Sequence, residues 1–148
     1  MEKIEKVLEI LKEQGLDGIY ITKEANVKYI SGYPDELAYA VICPQGNYLI
    51  TDSRFTELAE QSCPDFEVVN WHNYDRSIPK ALESICVKAG IQKLGFEECF
   101  ITYDKYEEIH RRLSEHRIEL TGTRNIVEEL RYVKSEEEVA NTRIACEI

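Results

Sequence analysis

The side chains that could perform chemistry in this 148-residue sequence do not form a familiar catalytic or metal-binding pattern. No two of the five cysteines form a C-x-x-C pair, and long segments separate them. Zinc sites draw their ligands from short, regular spacings, so no metal site is expected in this chain. The distribution is typical of reduced thiols, most of them buried as small apolar groups. The cysteines are Cys43, Cys63, Cys86, Cys99 and Cys146.

Motifs for nucleophilic or phosphate chemistry are also missing from the sequence. It contains no glycine-rich phosphate loop, no G-x-S-x-G segment and no H-E-x-x-H pair. His110 falls on the apolar stripe of a predicted helix, where a packing role is commoner than a catalytic one. His72, beside Trp71 at the end of a predicted strand, is the better site candidate. Residue chemistry alone therefore assigns no catalytic residue and no cofactor.

The charge balance excludes further functional classes. Lys and Arg total 18 against 28 Asp and Glu, which leaves a net charge of −10. Nucleic-acid binders and proteins that dock on anionic lipid need basic surfaces, so neither partner is expected. The longest apolar run, residues 37–43, is far shorter than the roughly 20 residues of a membrane-spanning helix. The charged start, with Glu2 and Lys3, does not resemble a secretory signal, and we expect a cytoplasmic protein.

Helical and extended patterns alternate along the chain. Asn26 is a candidate cap for a short helix that ends at Ser31. The clearest feature is a hairpin in which Pro44 presets the turn and Gly46 can adopt the left-handed conformation. The predicted strands are residues 18–21, 39–43, 48–51, 66–71, 94–97 and 117–120. The predicted helices include residues 2–14, residues 26–31 and residues 78–89, the last capped by Ser77. Another starts near Asp52 or Ser53 and covers residues 55–61, and a further one begins at Thr102. Two more begin at the capping boxes Asn125–Glu128 and Ser135–Glu138.

This alternation predicts a three-layer α/β/α domain with a mixed sheet of about six strands, covered by helices on both faces. The hairpin over residues 37–51 requires at least one antiparallel strand pair. A purely parallel, flavodoxin-like sheet is the alternative, and the hairpin argues against it. No phosphate loop is present to favour a nucleotide-binding enzyme.

Three segments, residues 26–33, 51–55 and 130–139, together resemble one protein family. Their order and spacing are similar to those of the N-terminal domain of the creatinase/prolidase/aminopeptidase P family, the pita-bread metallopeptidases. The resemblance implies a ribonuclease H-like fold, a domain over residues 1–133, and a linker helix over 134–148 that leads into a missing catalytic domain. The motif residues are Asn26, Tyr29, Ser31, Gly32, Asp52, Arg54, Arg131 and Lys134.

The resemblance also implies where the chemistry of the parent protein would lie. In this family, Asp, His and Glu side chains of the larger C-terminal domain hold two divalent metal ions (Mn, Co or Zn). This chain has no counterpart of that site, so we expect the isolated chain to have no peptidase activity. The implied parent is a proline-directed exopeptidase. The implied partners are its own catalytic domain and a second copy of the chain, as a homodimer.

The segment after the short helix is implied to form part of the substrate entrance. Its aromatic ring and two carboxylates, from Tyr33, Asp35 and Glu36, suit the free ammonium group of a peptide. No arginine lies between Tyr33 and Leu37, which argues against a creatinase-like amidinohydrolase, and an ordinary acidic loop remains an equal alternative. Asp52 and Arg54 form either a local ion pair or a substrate contact. A free-standing binding module of the same fold is the alternative function.

Overall fold

Buried strands alternate with amphipathic helices in the computed structural model, which describes residues 2–34 and 38–132. Among these residues we find no helix with the length and apolarity that crossing a bilayer requires. The strands are β1 (Gly18–Ile21), β2 (Tyr39–Cys43), β3 (Gly46–Thr51), β4 (Glu67–Asn70), β5 (Lys93–Glu97) and β6 (Glu119–Thr123). The helices are α1 (Glu2–Glu13), α2 (Glu24–Ser31), α3 (Thr56–Ser62), α4 (Ile78–Ala89), α5 (Tyr103–Ser114) and α6 (Ile126–Tyr132).

The strands of the described residues form one mixed, six-stranded sheet with the order β4-β3-β2-β1-β5-β6. Strand β2 runs antiparallel to both of its neighbours, β1 and β3, with Val41 opposite Tyr20 on one side and Tyr48 on the other. The remaining pairs, β1 with β5, β3 with β4 and β5 with β6, are parallel. The predicted mixed sheet is confirmed, and strand β2 excludes the purely parallel alternative.

Alternate residues of the central strands point to opposite faces of the sheet and build two separate cores. Ile19 and Ile21 of β1 pack in a cluster with residues of α1, α2, α3 and α6, whereas Tyr20 between them packs with residues of α4 and α5. Leu11 of α1 and Leu82 of α4 are buried on the two sides. The sheet is therefore the middle of three layers, as predicted.

The hairpin has a tighter turn than the sequence suggested. Pro44 and Gln45 alone form the turn, and Gly46 already pairs with Cys43 as the first residue of β3. Gly46 is not among the residues with positive φ, so its predicted left-handed conformation is wrong. A two-residue connection places this glycine in the strand ladder, where the backbone is extended.

Three predicted boundaries also shift, two of them because side chains bind nearby backbone groups. Helix α3 begins only at Thr56, since Asp52 and the residues after it form a hydrogen-bonded turn. The strand expected to reach Trp71 ends at Asn70, whose side chain accepts a hydrogen bond from the His72 backbone N–H and caps a short 3-10 turn. The last strand, β6, lies two to three residues later than predicted.

The caps predicted for the two helices on the second face of the sheet are confirmed. Ser77 Oγ accepts a hydrogen bond from the Lys80 backbone N–H at 3.2 Å, before α4. Thr102 Oγ1 accepts one from the Lys105 backbone N–H at 3.3 Å, before α5. Each side chain satisfies a first-turn donor that has no acceptor within its own helix.

Candidate functional site

The carboxyl-terminal ends of three parallel strands bring polar side chains together at one edge of the sheet. Strands β1, β5 and β6 all end at this edge, and Glu97 is the last residue of β5. Thr22 and Lys23 follow β1 directly and lead into α2. The charged and amide side chains that meet here are mostly buried. We call them the Asn26 cluster, and its members are Asn26, Glu97, Glu128 and Arg131.

Asn26 lies at the centre of this cluster, and both the nitrogen and the oxygen of its side-chain amide form hydrogen bonds. Its Nδ2 donates hydrogen bonds to Glu97 Oε2 and, at 2.9 Å, to Glu128 Oε1. Its Oδ1 accepts a hydrogen bond from Arg131 Nη1 at 3.1 Å. Asn26 is 0% exposed, and the two glutamates are 6% and 7% exposed. One amide therefore bridges two buried carboxylates and a guanidinium.

Glu97 joins the cluster to the start of α2. Its Oε1 accepts hydrogen bonds from the backbone N–H groups of Thr22 at 2.7 Å and Lys23 at 2.8 Å. Burial raises the pKa of the Glu97 carboxyl, and the nearby charge of Glu128 adds to the rise. The hydrogen bonds from Lys23, Asn26 and Thr22 act in the opposite direction, because they favour the charged form.

The Asn26 cluster fastens α6 to the sheet and to α2. Glu128 and Arg131 lie on α6, and the same helix buries Val127 in the core. Tyr29 of α2 adds a further link, since its hydroxyl donates a hydrogen bond to the Leu130 carbonyl oxygen at 3.1 Å. Two of the sequence motifs, separated by about a hundred residues, thus meet in space. The hydrogen bonds between these motifs hold α6 against α2.

The prediction that Asn26 caps a helix is wrong. Helix α2 begins at Glu24, and Lys23 occupies the cap position without a side-chain hydrogen bond. The reason is that the Glu97 carboxylate binds the backbone N–H groups before the helix, so the amide of Asn26 is directed elsewhere. The capping box predicted at Asn125 is also wrong. Asn125 has φ of 59°, and the Glu128 side chain accepts a hydrogen bond from Asn26.

Helix α2 ends at Ser31, as predicted. Ser31 Oγ donates a hydrogen bond to the Val27 carbonyl oxygen at 2.6 Å and accepts one from the Tyr33 backbone N–H at 3.1 Å. Gly32 ends the helix with φ of 78°, a left-handed conformation that favours glycine. These residues turn the chain out of the helix.

The predicted entrance segment is only partly described. The structure places Tyr33 in the core at 1% exposure, so its ring packs inside the domain in this structure. Asp35 and Glu36 lie outside the described residues, as does the motif residue Lys134. The role assigned to the two carboxylates stays a prediction.

Asp52 and Arg54 form the local ion pair that was one of the two interpretations of their motif. Arg54 Nη2 lies 2.8 Å from Asp52 Oδ2, and both the side-chain Nε and the backbone N–H of Arg54 donate to Oδ1. These hydrogen bonds hold the pKa of the Asp52 carboxyl below its usual value. The Arg54 side chain is 68% exposed, and its guanidinium lies 5.1 Å from the centre of the Phe55 ring. A contact with substrate stays a prediction.

The two histidines singled out by sequence occupy different surroundings. His72 Nδ1 is 3.0 Å from Ser53 Oγ, which also accepts a hydrogen bond from Asn70 Nδ2, so a small polar network links the ends of β3 and β4. His110 is exposed and stacks on Tyr106 at 5.6 Å between ring centres. The expectation that His110 packs in an apolar stripe is wrong, because its position on α5 faces outward.

Glu97 is the residue of this cluster that the sequence did not point to, and Glu128 was expected only in a local capping box. The burial of both depends on elements far apart in sequence. One local signal was available: Glu97 directly follows the buried strand residues Leu94 and Phe96. A charged residue at the end of an apolar strand is a candidate for a site at the sheet edge.

The donor set for a metal ion is not found in the described part of the chain. Residues 2–34 and 38–132 contain no group of three or more His, Cys, Asp or Glu side chains that could hold one. The described cysteines are free thiols, and all but Cys99 are buried. Burial raises the pKa of Cys86 to about 12, which suits an unreactive packing role.

Comparison with known proteins identifies the domain. The model of the Creatinase/Prolidase N-terminal domain family matches residues 3–133 of this sequence. The chain belongs to the creatinase/prolidase N-terminal domain family. This creatinase/prolidase domain is 33% identical over 137 residues to a Bacillus subtilis (strain 168) protein named Uncharacterized peptidase YqhT. The match covers 93% of the chain and 37% of that relative, so the chain spans well under half of the relative's length.

Solved structures give the same result for the fold. An Xaa-Pro dipeptidase from Bacillus anthracis superimposes with a TM-score of 0.86 and 30% identity, over 95% of this chain and 38% of that one. The N-terminal domain of cytoplasmic peptidase PepQ from Mycobacterium tuberculosis H37Rv superimposes with a TM-score of 0.78 and 27% identity. There the match covers 87% of this chain and 98% of the other, which is itself a separate N-terminal domain.

Proposed function

We propose that this creatinase/prolidase N-terminal domain is the non-catalytic domain of an Xaa-Pro peptidase, either a dipeptidase or an aminopeptidase. The match of the family model to residues 3–133 carries the proposal. The Asn26 cluster, which links α6 to α2 and to the end of β5, supports a structural role for the domain. The similarity to an Xaa-Pro dipeptidase, of which the domain matches 38%, supports it. In this proposal the domain supplies a rigid support, and the following catalytic domain supplies the reaction.

The catalytic metal ions are assigned to the following domain. The family resemblance implies two divalent ions (Mn, Co or Zn), and the described residues of this domain do not offer the ligands that such ions need. We therefore propose no metal-dependent step in this domain. We further propose that two copies of the full protein form a homodimer in the cytoplasm, and size-exclusion chromatography with light scattering tests the dimer.

The peptidase assignment predicts an all-or-none difference in activity. The 148-residue chain is assayed beside a polypeptide that joins it to the catalytic domain encoded downstream, with Mn²⁺ and an Xaa-Pro dipeptide, a longer Xaa-Pro-Xaa peptide or creatine as substrate. We expect the short chain to match a mock-purified control, and the longer polypeptide to cleave an Xaa-Pro bond in a chelator-sensitive manner. The preferred peptide distinguishes dipeptidase from aminopeptidase.

Other results of that comparison favour different functions. Robust Xaa-Pro cleavage by the short chain, above the mock control, overturns the assignment of a non-catalytic domain. Cleavage of creatine alone by the longer polypeptide supports a creatinase-like amidinohydrolase. An open reading frame that stops after Ile148 supports a free-standing binding module of the same fold.

The substrate-entrance role predicts a change in KM. We propose that Asp35 and Glu36 bind the ammonium group of the peptide, so Asp35→Asn with Glu36→Gln in the longer polypeptide raises KM about tenfold and leaves kcat nearly unchanged. The matched control is Glu5→Gln with Glu9→Gln, which removes the same charge from the exposed face of α1. Equal KM values for both double variants and the unchanged protein would reject the entrance role.

A further inference from the structure

A cavity of about 740 Å³ opens at the sheet edge beside α4 and α5, on the opposite side of the sheet from α1, α2, α3 and α6. Its volume lies within the range of small-molecule binding sites. Aromatic rings from three different elements form much of its wall, including Tyr39, Trp71 and Phe100. Phe100 is 43% exposed, so apolar surface is left open to a ligand. The cavity therefore offers the apolar part of a binding site.

Two cationic side chains line the same cavity, although the chain as a whole carries a net charge of −10. Arg76 lies just before α4 and Lys105 lies in the first turn of α5. Neither side chain forms an ion pair or hydrogen bond with another side chain of residues 2–34 and 38–132. Glu108 also lines the cavity, one turn after Lys105. The balance of charge at the wall is positive.

The starts of α4 and α5 add to this positive character. Both helices are 12 residues long, and their cap residues Ser77 and Thr102 line the cavity. The first N–H groups of a helix have no acceptor within it, and the helix dipole places partial positive charge at that end. Two such ends, two cations and an aromatic wall converge on one cavity.

We propose that this cavity binds a small organic anion, an aromatic ring system that carries one carboxylate, sulfonate or phosphate group. The rings of the wall contact the aromatic part, and Arg76 and Lys105 contact the anionic group. This site is separate from the Asn26 cluster and from the proposed peptidase function. It gives the non-catalytic domain a ligand site of its own.

Trp71 makes the test direct, because it is the only tryptophan of the sequence and lines the cavity. The folded 148-residue chain is titrated with 1-anilinonaphthalene-8-sulfonate, and energy transfer from Trp71 to the bound dye is measured. N-phenyl-1-naphthylamine, which has the same rings without the sulfonate, is the neutral comparison probe. We expect the anionic dye to bind about tenfold more tightly, with an affinity that falls as the salt concentration rises.

Charge-removing variants locate the bound anion. Arg76→Gln with Lys105→Gln is expected to weaken binding of the anionic dye about tenfold and to leave binding of the neutral dye unchanged. The control is Lys93→Gln with Arg111→Gln, two exposed positions away from the cavity, and we expect it to change neither affinity. Near-ultraviolet circular dichroism confirms that both double variants keep the fold.

Three results overturn the proposal. The first is equal affinity of the unchanged chain for the two dyes. The second is an equal loss of affinity for the anionic dye in the cavity variant and the control variant. The third is dye fluorescence without energy transfer from Trp71, which places the dye elsewhere on the surface.

Discussion

Replacing Asn26 with alanine lowers the free energy of unfolding by roughly 2 to 4 kcal/mol at neutral pH. The substitution removes the donor that two buried carboxylates share, and it leaves Arg131 without the Asn26 oxygen. Alanine has a higher helix propensity than asparagine, so a change in the helix propensity of α2 does not account for a lower free energy of unfolding. Urea unfolding followed by circular dichroism measures the change.

Asn73→Ala is the matched control for this substitution. Asn73 is exposed in the short 3-10 turn after β4, and the change is expected to stay within about 0.5 kcal/mol. If Asn26→Ala proves as mild as the control, the Asn26 cluster does not hold α6 in place. The cluster would then have no positioning role.

Stability is also expected to depend on the protonation of Glu97. Its pKa in the folded state is raised above the ordinary value of 4.5, chiefly by burial. The folded protein therefore binds this proton more tightly than the unfolded chain does. The stability contributed by Glu97 is complete below pH 4.5 and is lost as the pH rises through the folded pKa.

Glu97→Gln isolates this effect because glutamine does not titrate. The variant loses a hydrogen bond to Asn26 at every pH, so it is less stable than the unchanged chain in acid. We expect the difference in unfolding free energy to become smaller as the pH rises above 4.5. Thermal or urea unfolding from pH 4 to pH 8 measures it, and a difference that grows with pH contradicts the buried-carboxyl argument.

Asp52→Asn gives a control of the opposite sign. The pKa of Asp52 is lowered in the folded state, chiefly by its hydrogen bonds from Arg54, so its stabilising contribution is present above pH 3.8 and is lost on acidification. The difference between the unchanged chain and this variant should therefore grow as the pH rises toward 3.8. The two variants together distinguish a carboxyl group whose charged form is disfavoured by burial from one whose charged form is stabilised by a guanidinium.

The sequence was sufficient to predict the three layers of the fold and the features that depend on residues close together in the chain. The period of apolar residues predicted buried strands and amphipathic helices, and Ser77 and Thr102 cap their helices as expected. A hairpin around Pro44 required an antiparallel pair, which β2 supplies. These features could be predicted because each depends on side chains and backbone groups only a few residues apart.

The tertiary structure decided which polar residues act together. Asn26 resembled a local cap, yet its partners Glu97 and Glu128 lie 71 and 102 residues away, and only the parallel order of β1, β5 and β6 brings them near. His110 fits an apolar stripe by spacing, but the position of α5 against the sheet exposes it. Local sequence encodes periodicity and capping, whereas burial and charge pairing depend on which distant elements pack together.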